Sequence, residues 1–78
     1  MIIFTKHALE RMKQRAITRD EVIQVLSTSK ERMTDSLGHS SAQMDSNGKI
    51  LRVFFVEQDG NIVVITAYRT SKIKYRKT

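Results

Sequence analysis

The chain has 78 residues, 40% of them apolar and 28% charged, which is the composition of one small globular domain over residues 1–78 and not of a disordered segment. It lacks cysteine, so a disulfide framework and a thiolate metal site are excluded; no apolar run reaches the ~18 residues that span a bilayer, and Met1-Ile2-Ile3-Phe4 lacks the length and charge of a signal peptide, so a cytoplasmic protein is expected. A net charge of +6, from 14 Lys and Arg against 8 Asp and Glu, points toward polyanionic partners, above all nucleic acid.

The opening Ile2–Phe4 is short enough for an edge strand. Thr5 then caps a helix running from Lys6 to Arg15, with Leu9, Met12 and Ala16 as its buried stripe and Ala8 beside it. At 100° per residue, His7, Arg11 and Arg15 form a second stripe along one flank of that helix. Ala16-Ile17 break the pattern. Thr18-Arg19-Asp20-Glu21 is a capping box, with acids in the first turn of a second helix that presents Val22, Ile23, Val25 and Leu26 and stops at Ser27-Thr28-Ser29. The polar stretch from Lys30 to His39 is a connector with room for a short strand at Glu31–Thr34, and His39 is expected to be exposed there. Ser40–Met44 reads as a weakly apolar strand with a free edge. Asn47-Gly48 and Gln58-Asp59-Gly60-Asn61 are turns, so Lys49–Glu57 and Ile62–Tyr68 are consecutive hairpin strands. Two N-terminal helices followed by a meander predict an α+β fold, with both helices on one face of an antiparallel sheet.

Two groups of residues carry chemistry. His7 is a possible general acid or base with Arg11 and Arg15 as anion clamps, because cations four apart on a helix repel unless an anion lies between them. The plainer reading is a solvated helix flank. The other group is Tyr68, Arg69, Thr70 and Ser71 at the end of the last strand. Arg69 suits a phosphate through its planar fork, and the hydroxyls suit phosphate or a chain turn. Strand alternation sends Tyr68 and Thr70 one way and Arg69 and Ser71 the other, so all four converge only if the strand bends or ends near Arg69. Beyond them, residues 69–78 hold five Lys or Arg and no acid, with Lys72, Lys74 and Tyr75 as further RNA-binding candidates. No zinc-ligand spacing and no glycine-rich phosphate loop occur, so neither metal nor cofactor is expected.

Phe4-Thr5-Lys6-His7-Ala8-Leu9-Glu10-Arg11-Met12 with Gln14-Arg15, Leu51-Arg52-Val53, and Asp59 through Ile73 together resemble the domain of unknown function 4258 family. That family is similar to the RelE/ParE and BrnT toxins. The resemblance implies N-terminal helices on a curved antiparallel, RelE-like sheet. It also implies a metal-independent endoribonuclease of a toxin–antitoxin system, acting on RNA (often ribosome-associated messenger RNA) and neutralised by an antitoxin protein, here expected to be acidic. The family's helix motif maps to His7, Arg11 and Arg15, and its strand-end motif to Tyr68, Arg69, Thr70 and Ser71. Ala16 replaces the glycine usual at that position. The chemistry expected is attack of a ribose 2′-hydroxyl on its own phosphate. His7 would move the proton, Arg11 and Arg69 would stabilise the phosphate charge, and Tyr68 or Thr70 would orient the nucleotide, with Tyr75 stacking on a base. The competing reading is a non-catalytic nucleic-acid-binding module, or a ParE-like one that targets a protein.

Overall fold

The computed structural model describes residues 1–28, 31–46 and 48–71. Their order is β1 (Ile2–Phe4), α1 (Lys6–Gln14), α2 (Arg19–Thr28), β2 (Glu31–Thr34), β3 (His39–Ser46), β4 (Lys49–Gln58) and β5 (Asn61–Ser71). This is an α+β arrangement with an open five-stranded sheet in the spatial order β1-β5-β4-β3-β2.

The sheet is mixed, which corrects the expectation of a purely antiparallel one. β1 runs parallel to β5, pairing Ile2 with Ile62 and Phe4 with Val64. The chain leaves β1 into the helices and returns only at the far end of the sequence, a long connection of the kind a parallel pair needs. Thr5 locks the exit: its N–H donates to Val64 O at 3.2 Å, and its hydroxyl accepts the N–H of Ala8 at 3.0 Å as the cap of α1. The expected free edge at Ser40–Met44 is not there either, because β3 pairs with β2 on one side and β4 on the other.

The helices are local in origin. Thr18 and Glu21 form the reciprocal capping box, Glu21 N–H to Thr18 Oγ1 at 3.1 Å and Thr18 N–H to Glu21 Oε1 at 2.9 Å. Between the helices, Ala16 takes φ 56°, left-handed backbone in which a side chain costs about 1 kcal/mol. Ala16 is therefore exposed and outside α1, and Ala8 and Met12 carry its buried stripe instead. The β4–β5 turn is equally local. Asp59 (φ 53°) and Gly60 (φ 77°) between the paired Gln58 and Asn61 make the two-residue loop whose twist suits a hairpin.

One face of the sheet is covered by the helices. Leu51, Val53 and Phe55 of β4 and Val64 and Ala67 of β5 meet Ala8, Met12, Ile17, Val22, Val25 and Leu26 there, and all are buried. Burying the larger of these side chains contributes on the order of 1.5–3 kcal/mol each, the main favourable term in so short a chain. Val64 and Ala67 are three apart because β5 bulges: Phe55 pairs with Val64 but Phe54 with Thr66, leaving Ile65 as the extra residue. That single insertion resets the alternation and turns Ala67 and Arg69 toward the helices.

Candidate functional site

α1 lies along β5, its N-terminal end near Val64 and its C-terminal end near Ala67. His7 and Arg11 stand exposed on its flank, one turn apart, with Arg11 Nε donating to His7 Nε2 at 3.4 Å. Arg11 Nη1 also reaches Gln14 Oε1 at 3.4 Å.

Arg15 departs from the stripe. Its guanidinium turns to the sheet, where Nη1 donates to Ala67 O at 2.8 Å and approaches Thr66 Oγ1 at 3.4 Å. β1 pairs only with residues 62–64 of β5, so Arg15 caps a carbonyl on the strand edge that β1 leaves open. The crowding of Arg11 and Arg15 is thus relieved within the molecule, each guanidinium having acceptors of its own.

Arg69 is engaged more fully. Its Nη1 donates to Arg15 O (3.2 Å) and Ala16 O (3.1 Å), and its Nη2 to Glu21 Oε2. A planar fork closes the carbonyl end of α1 and the capping box of α2 in one contact. Glu21 therefore holds its carboxyl below the ordinary 4.5, first through the Thr18 N–H and then through Arg69, against partial burial that raises it. Arg15 lies eight residues beyond His7, about 12 Å along a helix axis, so Arg69 meets α1 at the end away from His7. The cation beside His7 is Arg11.

The strand-end residues do not converge. β5 continues through Ser71, so alternation persists. Tyr68 pairs with Arg52 and Thr70 with Ile50 on the open face of the sheet, while Arg69 pairs with Leu51 and Ser71 with Lys49 on the helix side. Lys72, Lys74 and Tyr75 lie outside the described residues.

The open face, which no helix covers among the described residues, sets Tyr68 beside Arg52 and Phe54, which the sequence did not mark as site residues. The Arg52 guanidinium carbon stands 5.2 Å from the centroid of Phe54, and the Tyr68 ring stacks on Phe54 at 5.8 Å and 30°. His39 is not a loose connector residue but the first residue of β3, with Nδ1 3.5 Å from Asp35 Oδ2. Two signals could have exposed this: alternation along β4 puts Arg52 and Phe54 on one face, and Asp35 stands three residues before a turn glycine, Gly38 at φ 85°.

Among the described residues no helix is long and apolar enough to cross a membrane. No curated protein and no solved structure matches the chain. One family model does, over residues 4–69, from the last residue of β1 to the Arg69 clamp. That span takes in both helices, the hairpin strands and the Arg69 contacts, and on it the chain belongs to the domain of unknown function family DUF4258.

Proposed function

We propose that the chain is a metal-independent endoribonuclease of toxin–antitoxin type, acting on RNA in the cytoplasm and restrained by an acidic partner protein. The observation that carries this reading is the exposed His7–Arg11 pair, with Nε2 of His7 as an acceptor 3.4 Å from a guanidinium nitrogen. A proton acceptor beside a fixed cation is what 2′-hydroxyl attack on phosphate needs. As Arg11 Nε turns from His7 Nε2 to the phosphate, the lone pair of Nε2 is freed and takes the 2′-hydroxyl proton while the O2′–P bond forms. Arg11 meets the charge that grows on the phosphate oxygens. The P–O5′ bond then breaks, and the 5′-oxygen leaves with a proton from water or from His7. Arg15 and Arg69 act at one remove in this scheme, by holding α1 against β5.

RNA incubated with the protein in EDTA should yield 2′,3′-cyclic phosphate and 5′-hydroxyl ends. His7→Ala should slow cleavage at least ~100-fold, the usual contribution of a positioned acid–base group. Unchanged cleavage by His7→Ala would refute the assignment. A second reading, a nucleic-acid-binding module without chemistry, draws support from Arg15 and Arg69, whose guanidinium groups already donate within the molecule. Under that reading a gel shift appears without any cleavage product.

A further inference from the structure

Phe54 sits at the centre of the open face. Ser41, Phe54 and Thr66 lie in register across three strands, and Gln43, Arg52 and Tyr68 form the next row. Phe54 also walls two neighbouring depressions of about 220 and 370 Å³, both of which include Asp35, His39 and Ser40 in their lining. The larger is of the size that takes a small ligand. It reaches Thr66, whose hydroxyl is 3.4 Å from the Arg15 guanidinium. The open face is therefore continuous, around the edge of β5, with the cationic flank of α1.

The rim of these depressions is organised. Asp35 Oδ1 accepts the N–H groups of Leu37 and His39, each at 2.9 Å, which fixes the carboxylate. Its Oδ2 then faces His39 Nδ1 at 3.5 Å. In the neutral ring a carboxylate beside Nδ1 favours the proton there, which leaves Nε2 as an acceptor. Asp35 keeps its charge, since the His39 N–H, more than any other group, holds its carboxyl below the ordinary 3.8. The site thus combines a flat aromatic floor, a guanidinium stacked on it and an oriented acceptor at its rim, in a chain of net charge +6. Aromatic and guanidinium planes side by side are the surface on which unpaired bases stack, and a 2′-hydroxyl is what separates RNA from DNA at such a surface.

We propose that the open face binds an unpaired RNA nucleotide next to the one cleaved: its base packs on Phe54 and Tyr68, its phosphate meets Arg52, and Nε2 of His39 accepts its 2′-hydroxyl. This rests on the RNA reading above and says where the strand lies.

The test is the binding of a labelled eight-nucleotide RNA and its DNA counterpart in EDTA at 4 °C, followed by anisotropy. Phe54→Leu and Tyr68→Leu should each weaken both ligands about tenfold or more, the usual effect of losing one stacked base. His39→Ala, at an exposed side chain that leaves the fold intact, should weaken RNA by roughly fivefold and DNA not at all, as for one lost hydrogen bond. An unchanged RNA-to-DNA ratio in His39→Ala, or unchanged affinity in a folded Tyr68→Leu, overturns the proposal. If Arg11→Ala abolishes binding while those variants bind normally, this face is not the site although the RNA reading survives. A wild-type protein that binds neither ligand ends both. A concentration-dependent dimer lost in Phe54→Leu, with RNA affinity unchanged, would give the face to a second copy instead.

Discussion

The junction of α1 and α2 and the open face of the sheet use similar side chains in opposite ways. At the junction two guanidinium groups are answered from inside: Arg69 by two carbonyls and Glu21, and Arg15 by Ala67 O. On the open face the groups are ordered but face outward: Phe54 and Tyr68 are half-buried, and His39 is oriented by Asp35 at an exposed rim. A cluster of basic residues is thus a poor guide to a binding site by itself. What separates the two regions is the side of the sheet: the clamp packs between strand and helices, while the aromatic row lies on the side that no helix covers among the described residues.

Neighbouring phenylalanines give the sharpest way to break this contrast. Phe55 is 1% exposed under the helices, so Phe55→Ala should cost about 4 kcal/mol and unfold much of so small a protein. Phe54→Ala, on the open face, should cost about 1 kcal/mol. Urea unfolding of the two variants measures the difference, and equal midpoints would contradict the layering described here. Next comes the clamp. Arg69→Lys removes a fork that a single ammonium cannot replace, for a loss of about 2 kcal/mol and a drop in Tm of about 10 °C. A Tm within 2 °C or so of wild type would mean that Arg69 is not structural.

The clamp also has a pH signature. A carboxyl depressed in the folded state contributes stability that is complete above its unfolded value and lost as pH falls through its folded value. Glu21 is depressed from 4.5, so Tm should fall as the solution is acidified below about pH 4.5. Glu21→Gln should flatten the upper part of that fall and leave the part due to Asp35, which begins below 3.8. The smallest effect is expected at Ala16, whose φ of 56° suits glycine. Ala16→Gly should gain about 0.5 kcal/mol, strain relief outweighing the added freedom of the unfolded chain.

Features built from neighbours along the chain were readable in advance. The Thr5 cap, the Thr18–Glu21 box and the Asp59-Gly60 turn all depend on contacts within a few residues. Divergence of Tyr68 from Arg69 was also readable, since it follows from strand alternation. The persistence of β5 to Ser71 was not, because it depends on pairing with Lys49 across a hairpin. Of the candidate site, the helical spacing of His7 and Arg11 was legible, since it is fixed by one turn of backbone. The contacts of Arg69 were not legible, because its acceptors, at Arg15, Ala16 and Glu21, lie about fifty positions away in the chain. Asp35 and His39 looked like connector residues because the β2–β3 hairpin that joins them needs β4 beside it.

Sequence alone determined that this chain makes two capped helices and a β-meander with a basic surface, because caps, turns and apolar periodicity act over one or two turns of backbone. Tertiary structure decided that the sheet is mixed, that a bulge at Ile65 turns Arg69 inward, and that Arg52, Phe54, Tyr68 and His39 share one open face. Those outcomes depend on which strand lies beside which. That choice is made by burying the whole core at once, and no short stretch of residues encodes it.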